Sequence, residues 1–198
     1  MKGNSESEIP VLVVGAGPAG IMTSLLLSRY GVRSLLVERH SEVSLLPRAM
    51  GINARTMEIF RGLALDAAVE AISVELGDRP FQVSLETLRG PVLETVARGG
   101  STYAGGSDAP TPSRFVFCAQ NRLEPLLLEK LAESGLCEIW RGVELTGLRQ
   151  DHSGATAELR ERSSGTARLV RCTYLVGADG AQSTVRASVG VEMQGHDP

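Results

Sequence analysis

The sequence has 198 residues, 42% of them hydrophobic and 22% charged, the balance of an ordinary folded globular domain. Lys plus Arg number 20 against 23 Asp plus Glu, a formal net charge of −3. That excludes a protein relying on bulk positive charge to hold nucleic acid or anionic lipid. With Phe 4, Tyr 3 and Trp 1, aromatics are also too sparse for a platform that stacks single-stranded bases.

The polar leader ends at Ile9–Val14, a continuous apolar run closed by Gly15, which predicts a strand buried on both faces of a parallel sheet. Gly15-Ala16-Gly17-Pro18-Ala19-Gly20 follows. A helix is predicted over Ile21–Tyr30 with Gly31 as its stop, then a second buried strand over Val32–Val37 closing with Glu38. These 38 residues read as a β-α-β unit. From His40 to Gly51 the chain is loop-like. Asn53 is a fitting N-cap for a helix through Phe60, and Leu63–Ala71 predicts another. Phe81–Val96 reads as two strands around Arg89-Gly90-Pro91, Arg98–Ser113 as a Gly/Ser/Pro-rich loop and Phe115–Phe117 as a short strand. Asn121–Ser134 is an amphipathic helix with Leu123, Leu127 and Leu131 on one face. Cys137–Leu148, Ala155–Arg160 and Ala167–Val176 predict a three-stranded antiparallel meander, broken at Asp151–Gly154 and Ser163–Gly165. Its last strand runs on into Gly177-Ala178-Asp179-Gly180, and Ser183–Val189 opens another helix.

The first glycine cluster has a mechanical explanation. Gly15 permits the tight turn off the strand, Gly17 lets backbone approach a pyrophosphate, and Gly20 lets the helix pack on the strand. The helix start offers N–H groups and a positive dipole end to phosphate, and Pro18 and Ala19 sit in that first turn, where a missing N–H costs nothing. Glu38 lies 18 residues past Gly20, where a carboxylate accepts from ribose hydroxyls. An acid there opposes a 2′-phosphate, so FAD or NAD fits and NADP does not fit at this site. In the second cluster, Asp179 either accepts a ribose hydroxyl or caps the following helix, and Gly180 permits close backbone approach. A meander between the two clusters, in place of a continued β-α-β run, favours FAD over NAD.

Together these motifs resemble the N-terminal part of class A flavoprotein aromatic monooxygenases, the para-hydroxybenzoate hydroxylase type. Within that class the sequence is most similar to hydroxylases of aromatic polyketides and substituted phenols. The carrying residues are Gly15–Gly20 with Glu38, Pro47-Arg48-Ala49 leading to Asn53–Glu58, Gln120–Glu124, and Gly177–Gly180 through Ser183 and Arg186. The resemblance implies an α/β fold: a Rossmann-like FAD-binding domain with a parallel sheet and an antiparallel three-stranded β-meander. The carrying residues run from position 11 to about 190, and residues 1–198 are expected to be the N-terminal part of that domain, with 81–114 as a strand and loop insertion toward the substrate side. It implies FAD as cofactor, NAD(P)H as co-substrate and a small aromatic substrate of the kind met in antibiotic biosynthesis. Glu38 and the adjacent Arg39 would serve the adenosine ribose, Arg48 the flavin side of the pyrophosphate, and Gln120 and Arg122 the ribityl and phosphate region. Asp179 would serve both FAD and the approach of NAD(P)H. The alternatives are a solvated loop cation for Arg48, a helix-surface charge for Arg122 and a helical ion pair for Arg55 with Glu58.

The family's third motif, a Gly-Asp followed by Ala-His beyond the second cluster, has no counterpart, since Gly77-Asp78 precedes Gln120. The expectation is a truncated chain that lacks the flavin floor and substrate pocket, with no assignable catalytic acid or base. Another FAD-dependent oxidoreductase, or a non-catalytic dinucleotide-binding fragment, is the alternative. His40, His152 and His196 have no metal-ligand spacing, so no metal is expected. Cys118, Cys137 and Cys172 are too scattered for a disulfide framework, and Cys118 and Cys172 alternate with core residues. With no signal-like start and no apolar run near the roughly 20 residues that span a bilayer, a cytoplasmic protein without membrane partner is expected.

Overall fold

A computed structural model describes residues 7–43, 45–46, 48–74, 82–96 and 111–195. Most of the expected loop Arg98–Ser113, and His196, lie outside the described residues. In chain order the elements are β1 (Ser7–Val14), α1 (Pro18–Arg29), β2 (Ser34–Glu38), β3 (Gly51–Ile52), α2 (Ala54–Gly62) and α3 (Asp66–Ile72). Next come β4 (Gln82–Leu85), β5 (Val92–Val96), β6 (Val116–Phe117), α4 (Gln120–Glu133), β7 (Cys137–Arg141), β8 (Val143–Asp151), β9 (Gly154–Glu161), β10 (Ala167–Gly177) and α5 (Thr184–Ser188). The chain divides into two compact units, residues 46–123 and the remainder.

The larger unit is built on one six-stranded sheet in the order β7-β2-β1-β10-β9-β8. β7, β2, β1 and β10 run parallel, while β10, β9 and β8 form the antiparallel meander. Strand β10 joins the two halves: Ala167–Cys172 pairs with β9, and Ser7–Val14 aligns with Val170–Gly177. One expected strand is corrected. Cys137–Leu148 is two strands, because the chain turns at Gly142, φ +69°. β7 pairs with β2 at one end of the strand order and β8 with β9 at the other. Only Gly142 separates the two, so the sheet folds over itself.

Burial explains that folding. Alternate side chains of β1 face opposite ways, and both sets are buried. Leu12 and Val14, with Leu35 and Val37 of β2, form one core with Leu145, Ala155, Ala157, Leu159, Val170 and Cys172 of the meander. The meander thus covers one face of the parallel strands. α1 lies against β1 and β2 and buries Ile21 and Leu25. The buried thiols of Cys118 and Cys172 behave as small core groups, and burial pushes both thiol pKa values up.

In the smaller unit Asn53 caps α2, its side chain accepting from the Thr56 N–H at 2.8 Å. Arg55 and Glu58 form the helical ion pair at 2.8 Å. β4 and β5 form a ribbon around the Thr87–Gly90 turn, and β3 pairs with β6, an addition to the expected elements. No helix among the described residues is long and apolar enough to cross a membrane.

Candidate cofactor site

Three parallel strands, β2, β1 and β10, end side by side, and their ends are stitched together. Gly15 N–H donates to Val37 O at 2.8 Å and Ala178 N–H to Val14 O at 2.7 Å. The chain leaves β1 toward β2 on one side, while β10 arrives on the other. That is a switch point, the place where open α/β sheets take ligands at the carboxyl ends of strands. Both glycine clusters meet there.

Gly15 has φ +101°, a backbone state that side chains rarely tolerate. A Cβ on it would overlap Ala178 O and stand 2.8 Å from Asp179 Cα. A Cβ on Gly20 would collide with Gly15 O and reach 3.3 Å from the Ala178 methyl. These two glycines are therefore explained by the packing of α1 and β10 on the turn. Gly17 is different. Its φ of −75° and ψ of 178° suit any residue, and among the described residues nothing beyond its chain neighbours lies within 4 Å of where its Cβ would be. It is the N-cap of α1, and no side chain caps that helix. The first-turn N–H groups, those of Ala19 and Gly20, lack a carbonyl one turn back inside the helix, and Pro18 has no N–H to offer.

Glu38 stands at the end of β2 as predicted, half-buried, and both its oxygens are engaged. Oε2 accepts from Ala16 N–H at 2.8 Å and Oε1 from His40 N–H at 2.9 Å. The neighbouring Arg39 is exposed, its Nε donating to His40 Nε2 at 3.2 Å, and its carbonyl accepts from Arg162. Of the two roles open to Asp179, the structure displays the one at the start of α5, where Ser183 is the N-cap, as the sequence predicts, and Asp179 braces it. Its Oδ2 accepts from Thr184 N–H at 2.7 Å and Val185 N–H at 3.1 Å, and its Oδ1 from Ser183 Oγ. Ser183 Oγ in turn accepts from Arg186 N–H at 2.9 Å. Gly180, φ +82°, opens to space. Sequence reasoning placed the Gly177–Gly180 turn but missed Ala178, whose N–H ties β10 to β1.

Three predicted residues belong to the smaller unit. Arg48 is exposed, its N–H donating to Leu46 O at 2.9 Å. Gln120 begins α4, its N–H donating to Ala49 O at 2.8 Å. Arg122 is exposed and its guanidinium donates to Ile72 O at 3.2 Å, satisfying a carbonyl at the end of α3. That bond occupies one of its five donors.

The family model of the FAD binding domain matches residues 8–198. The chain belongs to this FAD binding domain family. It is 40% identical over 195 residues to the aklavinone 12-hydroxylase DnrF of Streptomyces peucetius, covering 97% of this chain and 40% of that protein. It is 37% identical over 200 residues to a tetracenomycin B2 monooxygenase-dioxygenase of Streptomyces olivaceus, covering 96% of this chain and 37% of that one. The crystal structure of the flavin-dependent monooxygenase PieE, in complex with FAD and substrate, matches with a TM-score of 0.88 at 39% identity. That match covers 96% of this chain and 33% of PieE. The chain thus spans about 40% or less of the length of these relatives.

The turn of this FAD binding domain fits a dinucleotide pyrophosphate. Gly17 leaves open a space that a Cβ would fill, the first-turn amides point out of a helix without a side-chain cap, and among the described residues no side chain is bonded to them. Among the described residues no group of His, Cys, Asp and Glu is placed to hold a metal ion.

Proposed function

We propose that this FAD binding domain serves an NAD(P)H-dependent monooxygenase that hydroxylates an aromatic polyketide or phenol. The observation that carries the proposal is the open face at Gly17, set at the switch point between β1 and β10. In this reading the amides of Gly17, Ala19 and Gly20 take the pyrophosphate and Glu38 accepts from the adenosine ribose, with Arg39 flanking it. Arg48 lies on the flavin side of the pyrophosphate, Gln120 and Arg122 bind the ribityl and phosphate region, and Asp179 and Gly180 form the second turn. Residues 1–198 act as one cofactor domain, with 81–114 as its substrate-side insertion. Relatives named as a putative polyketide hydroxylase and a 4-methyl-5-nitrocatechol 5-monooxygenase support the substrate class.

Bound FAD supplies the redox chemistry of the net reaction, R–H + O2 + NAD(P)H + H+ giving R–OH, NAD(P)+ and water. This chain's residues contribute binding and position: amides neutralise phosphate charge, and the strand ends hold the turn rigid. Because the chain spans about 40% or less of its relatives' length, the test is incubation of the whole protein that carries this domain with FAD, O2, NADH or NADPH and a tricyclic or tetracyclic aromatic polyketide, followed by mass spectrometry. A product heavier by one oxygen derived from O2, formed with reduced-nicotinamide consumption, is expected. FAD-bound protein that oxidises a substrate without inserting oxygen would instead place it among other flavin oxidoreductases.

A further inference from the structure

The carboxylate of Glu38 spans two backbone segments that are 22 residues apart on one side and two on the other. Ala16 is buried inside the glycine turn, so its N–H cannot turn to water without distorting the turn. Packing and the strand ends constrain Gly15 and Gly20, but not the Gly17 end of the turn. Gly15 N–H is held by Val37 O, but Gly17 carries no side chain and α1 has no side-chain cap. An acceptor from outside the segment therefore sets the direction of the Ala16 peptide, and with it that of the next amides along the chain.

We propose that Glu38 is a positioning residue for the phosphate-binding turn: its carboxylate clamps Ala16 N–H and His40 N–H and presets the turn before any cofactor arrives. Each carboxylate oxygen has a second lone pair, so the clamp leaves capacity for a ribose hydroxyl. This inference rests on the reading of the turn as the pyrophosphate site, and it adds a role that operates without ligand. Preset amides bind an anion without the ordering cost that a loose turn would add.

Amide hydrogen exchange on the cofactor-free chain tests it, because local opening is read residue by residue. In the wild-type chain Ala16 and His40 amides should be protected while the Gly17 amide exchanges freely. Glu38→Ala removes both acceptors and should speed exchange at Ala16 and His40 at least tenfold, with Leu12 and Val13 of β1 unchanged. Glu38→Gln keeps one acceptor for two donors, so one of the two amides should lose protection and FAD affinity should fall. Ala16 exchanging freely in the wild type, or equally slowly in both variants, would overturn the clamp. A fall in FAD affinity with unchanged exchange would mean that Glu38 serves the ribose alone. Since exchange is measured without cofactor, failure of the wild-type chain to bind FAD would overturn the cofactor reading alone.

Discussion

Substituting Gly17 by Ala separates the packing role of the glycine turn from its binding role. The backbone at Gly17, φ −75° and ψ 178°, accepts alanine without strain, and among the described residues the new methyl meets no atom within 4 Å beyond its chain neighbours. Gly→Ala at such a site stabilises by about 0.4–1 kcal/mol through the unfolded chain, while alanine is the poorer N-cap by several tenths. The two effects offset, so the cofactor-free melting temperature should stay within about 4 °C of wild type. FAD affinity should not survive as well. The methyl occupies the space that a phosphate needs, and losing one charge-assisted N–H bond costs about 1.5–3 kcal/mol, roughly a ten- to hundredfold rise in Kd. Gly20→Ala is the opposite case. Its methyl would collide with Gly15 O, so α1 must shift and the fold should lose about 1–3 kcal/mol or more. Thermal melts of both variants without FAD, paired with equilibrium dialysis against FAD, distinguish the outcomes. Gly17→Ala binding FAD like wild type, or melting as early as Gly20→Ala, would refute the assignment of Gly17 to the phosphate.

Asp179→Ala removes the acceptor for Ser183 Oγ, Thr184 N–H and Val185 N–H, a loss of about 1–2 kcal/mol. A melting temperature lower by roughly 2–8 °C is expected, and an unchanged one would remove this brace from the account. At the meander turn, Arg171 bonds Asp151 Oδ1 at 2.7 Å, and Ser153 donates to the same carboxylate. These contacts hold the Asp151 carboxyl well below its ordinary range. A lowered native pKa contributes stability above the unfolded value of about 3.9, lost as pH falls toward the native one. The melting-temperature gap between wild type and Asp151→Asn should therefore shrink as pH drops below about 4, and a gap independent of pH would contradict the pairing.

Local signals were the readable ones. The β-α-β unit follows from an apolar run, three glycines and a closing acid within 38 residues, and Asn53 and the Arg55–Glu58 pair act over a single helical turn. The split at Gly142 was not readable, because the apolar residues Cys137, Ile139, Val143 and Leu145 keep the same odd-numbered positions on both sides of Arg141-Gly142. Its two strands take partners that lie far apart in sequence, β7 pairing parallel with β2 and β8 antiparallel with β9. Spacing put Glu38 at the right strand end but could not say which donors it meets, since Ala16 N–H becomes its partner only when β1 and β2 align. Arg122 is a similar case: its bond to Ile72 O joins residues 50 apart, and no pattern along the chain marks that carbonyl.

We propose that this chain holds the adenosine-pyrophosphate half of FAD at the Gly15–Gly20 turn. Equilibrium dialysis of the purified chain against FAD, with ADP or FMN as competitor, tests it most directly. FAD should bind and be displaced by ADP, which carries the same adenosine and pyrophosphate, and not by FMN, which lacks them. FMN displacing FAD as well as ADP does, or ADP failing to displace it, would contradict the claim.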